Sequence, residues 1–171
     1  MEDVAVTRAA SIKLQKELKY LTENGNPSFS VGLADDENLF EWIVTLFGPQ
    51  DTYYEGGIFK AVLKFPYNYP YEPPTMQFQS ELWHPNVYED GRVCISILHK
   101  PGEDPSGYEM PEERWSPAQT VETILMSVIV MLNSPNDESP ANVDAGKMWR
   151  QDKAAYRRKV RRCVEKSMDS W

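Results

Sequence analysis

Hydrophobic spacing along the chain is ordered at both ends and in a central block, and each period names a different element. In TRAASIKLQKELKYLTENGNP, Leu14, Leu18 and Leu21 recur at four- and three-residue steps, which predicts a helix stopped by Gly25 and Pro27. Lys13, Lys16 and Lys19 fall off the leucine stripe and give that helix a cationic outer side. The runs LFEWIVTLFGP at 39–49 and GIFKAVLKFP at 57–66 read as strands. In the second, Phe59, Ala61, Leu63 and Phe65 point one way and Ile58, Lys60, Val62 and Lys64 the other. GPQDTYYEGG between the runs is turn chemistry, so they form neighbours in an antiparallel meander with one face on the core. A shorter strand is expected at TMQFQ, 75–79, after the proline-rich YPYEPP.

Beyond residue 80 the period disappears for about 35 residues, longer than an ordinary connection and therefore a place to look for function. Helical patterning returns in TVETILMSVIVML, 120–132, whose nearly all-round apolar character predicts a buried central helix ended by Asn133, Ser134 and Pro135. A short helix, ANVDAGKMW, is expected after Pro140. In the last segment Tyr156, Val160, Cys163 and Val164 share one helical face, so Cys163 reads as a small core hydrophobe.

Composition narrows the class. A chain of 171 residues with 41% hydrophobic content can bury one core, and a single domain over 1–171 is expected. The N-terminus MEDVAVTRAA lacks a signal-peptide pattern, and the run ILMSVIVML at 124–132 is too short to span a bilayer. A cytoplasmic location, with the nucleus as an alternative and no direct membrane insertion, is therefore expected. The net charge of −8 divides into +6 over residues 147–171 and −14 over residues 1–146. So acidic a body argues against nucleic acid, whose binding rests on neutralising phosphates. The basic run KMWRQDKAAYRRKVRRCVEK reads as a solvated helix face, with a binding surface as the alternative. His84, His99, Cys94 and Cys163 form no CxxC or HxxxH pair, so neither a metal nor a disulfide framework is expected.

Cys94 lies in the unpatterned stretch, within HPNVYEDGRVCISIL, and follows Gly91, which permits a close backbone approach. Its plain reading is a half-buried cysteine opening the apolar run CISIL. A cysteine hydrolase would need an imidazole within reach, and the only histidines, His84 and His99, sit in no local signature of such enzymes.

The order of motifs GPQDTYYEGG, KFPYNYPYEPP, HPN, the cysteine after it, RWSP and SPAN resembles the catalytic domain of ubiquitin-conjugating enzymes. The resemblance is collinear from the first helix to about residue 150. The insertion HKPGEDPSGYEMPEER at 99–114, with DGRVCISIL and NDESPANVDA, is most similar to the acidic-loop G-type members linked to endoplasmic-reticulum-associated degradation. It implies an α+β ubiquitin-conjugating (UBC) fold: an N-terminal helix, a four-stranded antiparallel meander and C-terminal helices. It also implies that Cys94 receives ubiquitin as a thioester from the activating enzyme and passes it to a lysine, usually with a RING-type ligase and without a cofactor. Thioester exchange needs no strong base, because an ordinary thiol of pKa ~8.5 is a few per cent thiolate at pH 7. Aminolysis is harder, since a lysine of pKa ~10.4 is neutral in only about one part in 2,500 at that pH.

By the same resemblance Asn86 donates to the developing oxyanion or orders the loop that does, and His84, followed by Pro85, is structural. Lys13 and Lys16 match the face that meets the activating enzyme, Tyr71, Pro117 and Ala118 the ligase-binding loops, and Met126 a contact with the donor ubiquitin. Two positions where many members carry an acid hold Ser96 and Ser139 here. Glu103, Asp104, Glu109, Glu112 and Glu113 of the insertion, or the acceptor ubiquitin itself, are expected to supply the missing polar contacts. The same chemistry with another ubiquitin-like modifier, or a non-catalytic partner-binding relative, are the competing readings. Protein substrates are expected partners in the first case, and recruitment to the endoplasmic reticulum would come through a partner.

Overall fold

A computed structural model describes residues 3–100 and 113–169. Helix α1 (Val4–Asn24) starts three residues before the stretch TRAASIKLQKELKYLTENGNP does, because the Asp3 carboxylate accepts the Ala5 N–H and caps it. Gly25, at φ 61°, ends it by donating its N–H to Leu21 O. Ala10, Leu14 and Leu21 are buried and Leu18 packs beside them.

The sheet is antiparallel, in the order β1 (Phe29–Asp35), β2 (Asn38–Phe47), β3 (Ile58–Lys64), β4 (Thr75–Phe78). Its register stacks the inward positions in rows: Phe29, Leu46 and Phe59; Val31, Val44, Ala61 and Phe78; Leu33, Trp42, Leu63 and Met76. These rows are the floor of the core, and the alternation expected for residues 58–65 is met residue by residue. Strand β1 escaped the pattern reading. It is an edge strand, only Phe29 in it is buried, and Gly32 interrupts its alternation.

Three helices follow: α2 (Val121–Asn133), α3 (Val143–Gln151) and α4 (Lys153–Asp169). Thr120 and Thr123 form a reciprocal cap at the start of α2. Apolar all round in sequence, α2 is not buried all round. Ile124, Leu125, Val128 and Leu132 face the core, whereas Met126 and Val130 are 39% and 61% exposed. One helix lying on a sheet can bury only one side, so the apolar residues on the other side need another explanation. Tyr156, Val160, Cys163 and Val164 of α4 are buried as a single face. Among the described residues no helix is long and apolar enough to cross a membrane, and no group of three or more His, Cys, Asp or Glu could hold a metal ion.

Candidate functional site

The segment after β4 is irregular but held throughout. Residues 86–94 form a small hairpin hung from β4: Phe78 N donates to Gly91 O at 2.8 Å, Val93 N to Met76 O at 3.0 Å, and Tyr88 N to Arg92 O at 2.9 Å. Gly91 closes the turn at φ 96°, with its missing Cβ directed at Phe78 O, 2.1 Å away. Cys94 ends the hairpin, half-buried, its N–H on Asn86 O at 2.9 Å. The other thiol, Cys163, is buried in the core, and burial pushes its pKa up.

Opposite Cys94 the residues 84–86 are locked from three directions. His84 is fully buried; its Nδ1 accepts the Asn86 N–H at 2.9 Å, which leaves the proton on Nε2 to donate to Met131 O of α2 at 2.8 Å. Desolvation lowers its pKa to about 4, so it stays neutral at physiological pH. Pro85 O accepts the N–H of Asn142, whose side chain caps α3 by accepting from Ala145 N. Asn86 Nδ2 donates to Asn136 O at 2.7 Å and Asn86 Oδ1 accepts from Asn136 N at 2.9 Å. The next residue, Asp137, is gripped by Arg150 of α3 through both its carboxylate and its carbonyl, a contact that holds the Asp137 carboxyl below the usual range.

His84, Pro85, Asn86 and Cys94 are thus assembled by direct bonds. Ser96 is half-buried and opens a single 3-10 turn, Ser96–Leu98; Ser139 is exposed in the segment between α2 and α3. Glu113 is exposed, and Glu103, Asp104, Glu109 and Glu112 lie outside the described residues. On α1, Lys16 is exposed, while Lys13 lies 3.5 Å from Glu17 and over the Tyr69 ring at 5.8 Å. Tyr71 is 65% exposed, and the segment carrying exposed Pro117 and Ala118 is tied beside it by the Trp115 indole, which donates to Pro70 O at 2.7 Å. Met126 lies on the open side of α2.

Asn136, Asp137 and Asn142 lie in the quoted NDESPANVDA, yet the bonds they make, and the part of Arg150, had no signal in the sequence. Asn136, Asp137, Asn142 and Arg150 act through backbone and side-chain bonds across long separations. Most unexpected is His99: its Nε2 lies 3.7 Å from Cys94 Sγ, within hydrogen-bond reach for sulfur. His99 sits in no local signature of a cysteine hydrolase, yet the fold brings it to the thiol. Three 3-10 residues turn the chain back by one revolution, and no hydrophobic period announces a turn that short.

A meander of four strands roofed by helices, with one half-buried thiol set against a locked His-Pro-Asn segment, is the arrangement of a ubiquitin-conjugating domain. The family described as "Ubiquitin-conjugating enzyme" matches residues 13–164, and the chain belongs to it. It is 59% identical over 160 residues to ubiquitin-conjugating enzyme E2 7 of Arabidopsis thaliana, covering 94% of this chain and 96% of that one. It is 55% identical to probable ubiquitin-conjugating enzyme E2 7 of Caenorhabditis elegans, over 94% of this chain and 98% of that one. To ubiquitin-conjugating enzyme E2 G2 of Bos taurus it is 53% identical over 156 residues, 91% and 94% of the two chains. Enzymes of this family work with ubiquitin, an activating enzyme and ligases.

Proposed function

We propose that Cys94 carries ubiquitin as a thioester and yields it to lysine amines of ubiquitin or of substrate proteins, with a RING-type ligase as partner and degradative polyubiquitin chains as product. The chain then acts as one catalytic domain over 1–171, with the insertion at 99–114 as its acidic loop. The observation that carries the reading is the half-buried Cys94 bonded to Asn86 O inside the locked 84–86 segment, the other thiol being buried. Likeness to E2 G2 supports a place among the G-type members and their association with degradation at the endoplasmic reticulum, reached through a partner.

In this reading Asn86 orders the segment 134–138 beside the thiol. Lys13 and Lys16 meet the activating enzyme, and Tyr71, Pro117 and Ala118 the ligase. Met126 and Val130, apolar and open on α2, meet the donor ubiquitin. The acidic loop compensates for Ser96 and Ser139 when the amine arrives.

The deciding assay combines the protein with ATP, ubiquitin and the ubiquitin-activating enzyme. A thiol-cleavable adduct lost in Cys94→Ala is expected. Its absence with ubiquitin, but formation with another modifier and that modifier's activating enzyme, moves the chemistry to that modifier. No adduct with any modifier leaves a binding protein. Deleting residues 101–111 is expected to slow lysine transfer and alter chain linkage; unchanged rate and linkage remove the acidic loop from the mechanism.

A further inference from the structure

We propose that His99 is a catalytic residue of this site, the proton partner of the Cys94 sulfur in both halves of the acyl transfer. The acyl steps rest on the thioester reading above; the pairing itself does not.

The geometry is built, not incidental. After Cys94 the 3-10 turn is closed by Leu98 N on Ile95 O at 3.0 Å and by His99 N on Ser96 O at 2.9 Å. Farther along, Trp115 N donates to His99 O at 3.2 Å, and the Trp115 indole is anchored on Pro70 O. Residue 99 is therefore fixed on both sides, with its Nε2 3.7 Å from Sγ. The other imidazole is removed from this role: both nitrogens of His84 are occupied, by Asn86 N and Met131 O, and the ring is fully buried. Ser96 and Ser139 offer no ionised group. Of the two histidines, only His99 presents a ring nitrogen to the sulfur.

The steps balance as follows. On charging, the Sγ–H proton passes to His99 Nε2 and the bond from Sγ to the acyl carbon forms. The bond from that carbon to the activating enzyme's sulfur breaks, and the departing thiolate takes up the proton. On discharge, the amine nitrogen bonds to the acyl carbon and the carbon–Sγ bond breaks. His99 Nε2 takes up the proton the amine sheds and passes it to the Sγ thiolate, leaving the ring neutral as it began. An imidazole can accept a proton and give it up again, which suits one group to both tasks.

The test begins with the full chain and no partner. Alkylation by iodoacetamide at pH 7 is followed on the peptide carrying Cys94, with the Cys163 peptide as internal reference. His99→Gln is expected to slow Cys94 labelling about threefold, the size expected when a thiolate loses one cationic partner and gains intrinsic nucleophilicity in return. Cys163 should be unaffected, and equal Cys94 rates in the two proteins overturn the proposal. A second measurement keeps His99 in place. The Nε2 resonance of 15N-labelled His99 is expected to move on Cys94→Ala, and an unmoved resonance also overturns it. Discharge to free lysine should then fall about tenfold or more in His99→Gln. A slowed labelling without any ubiquitin adduct on the wild type would sink the conjugation reading and leave the pair standing. An adduct with unchanged labelling would do the reverse.

Discussion

The carboxamide of Asn86 closes a two-bond ring on the backbone of Asn136, donating from Nδ2 to the carbonyl and accepting at Oδ1 from the N–H. With both ends occupied, this side chain acts on the segment 134–138 first, and on anything bound at Cys94 only through it. Arg150 grips the same segment one residue later, at Asp137.

Asn86→Ala removes both bonds and leaves the Asn136 N–H and C=O to find water. A cost of about 1–3 kcal/mol is expected. Transfer to lysine should fall about a hundredfold, the scale of misplacing a site by an ångström, while charging from the activating enzyme changes little. Hydrogen exchange separates loop ordering from direct oxyanion donation: in the variant the amides of Asn136 and Glu138 should exchange faster. Unaltered exchange with lost transfer would favour direct donation.

His84 predicts a particular acid limb. Its folded-state pKa of about 4 lies below the ordinary value of 6.5, so as pH falls the unfolded chain takes up this proton first. The stability from His84 is complete above pH ~6.5 and drains away down to pH ~4, by about 3 kcal/mol in all. Urea unfolding between pH 4 and 7 should show that slope in the wild type and a flatter one in His84→Gln. Equal slopes would mean that the carboxylates alone set the acid limb.

How much of this could be read beforehand depends on whether a residue acts through a period or through a contact. The rows of β2, β3 and β4 and the buried face of α4 follow from alternation at two and four residues, because burial on one side repeats along the chain. Strand β1 hides behind Gly32 and a half-exposed edge. Cys94 was singled out by its motif, whereas His99 and Asn136 are brought in by a short turn and by a bond spanning 50 residues, neither of which leaves a repeating trace. The open side of α2 escaped for the opposite reason: an all-round apolar period reads as a helix buried all round, the resemblance alone set Met126 outward, and only packing shows that Val130 is open too.

Gly91 is a stringent local test. At φ 96°, with its would-be Cβ 2.1 Å from Phe78 O, it admits no side chain without moving the hairpin from β4. Gly91→Ala should destabilise by about 2–3 kcal/mol. Because Cys94 closes the same hairpin, its alkylation rate should change as well. A stable variant with normal Cys94 reactivity would show that the hairpin can shift without disturbing the thiol.

Glu17 joins three parts of the molecule that no pattern connects. From α1 its Oε1 accepts the N–H of Val121, the first residue of α2, at 2.8 Å, and its Oε2 accepts the Tyr69 hydroxyl at 2.5 Å. A carboxylate at that helix start also meets the positive end of the helix dipole. Burial, and then the charge of Glu17, push the Tyr69 pKa up, so the phenol remains a donor. Beyond Tyr69 comes Pro70, whose carbonyl anchors Trp115, so the segments carrying Tyr71 and Pro117 hang from this one carboxylate. Glu17→Ala should cost about 3 kcal/mol, since hydrogen bonds to a charged group are among the stronger ones. Tyr69→Phe alone should cost less, because it removes the donor but leaves Val121 N–H its acceptor. If the two groups work as one unit, the double variant should fall short of the sum by about 1–2 kcal/mol in urea unfolding. Strict additivity would mean that the phenol and the α2 start are held independently, and the ligase-loop position would then not depend on α1.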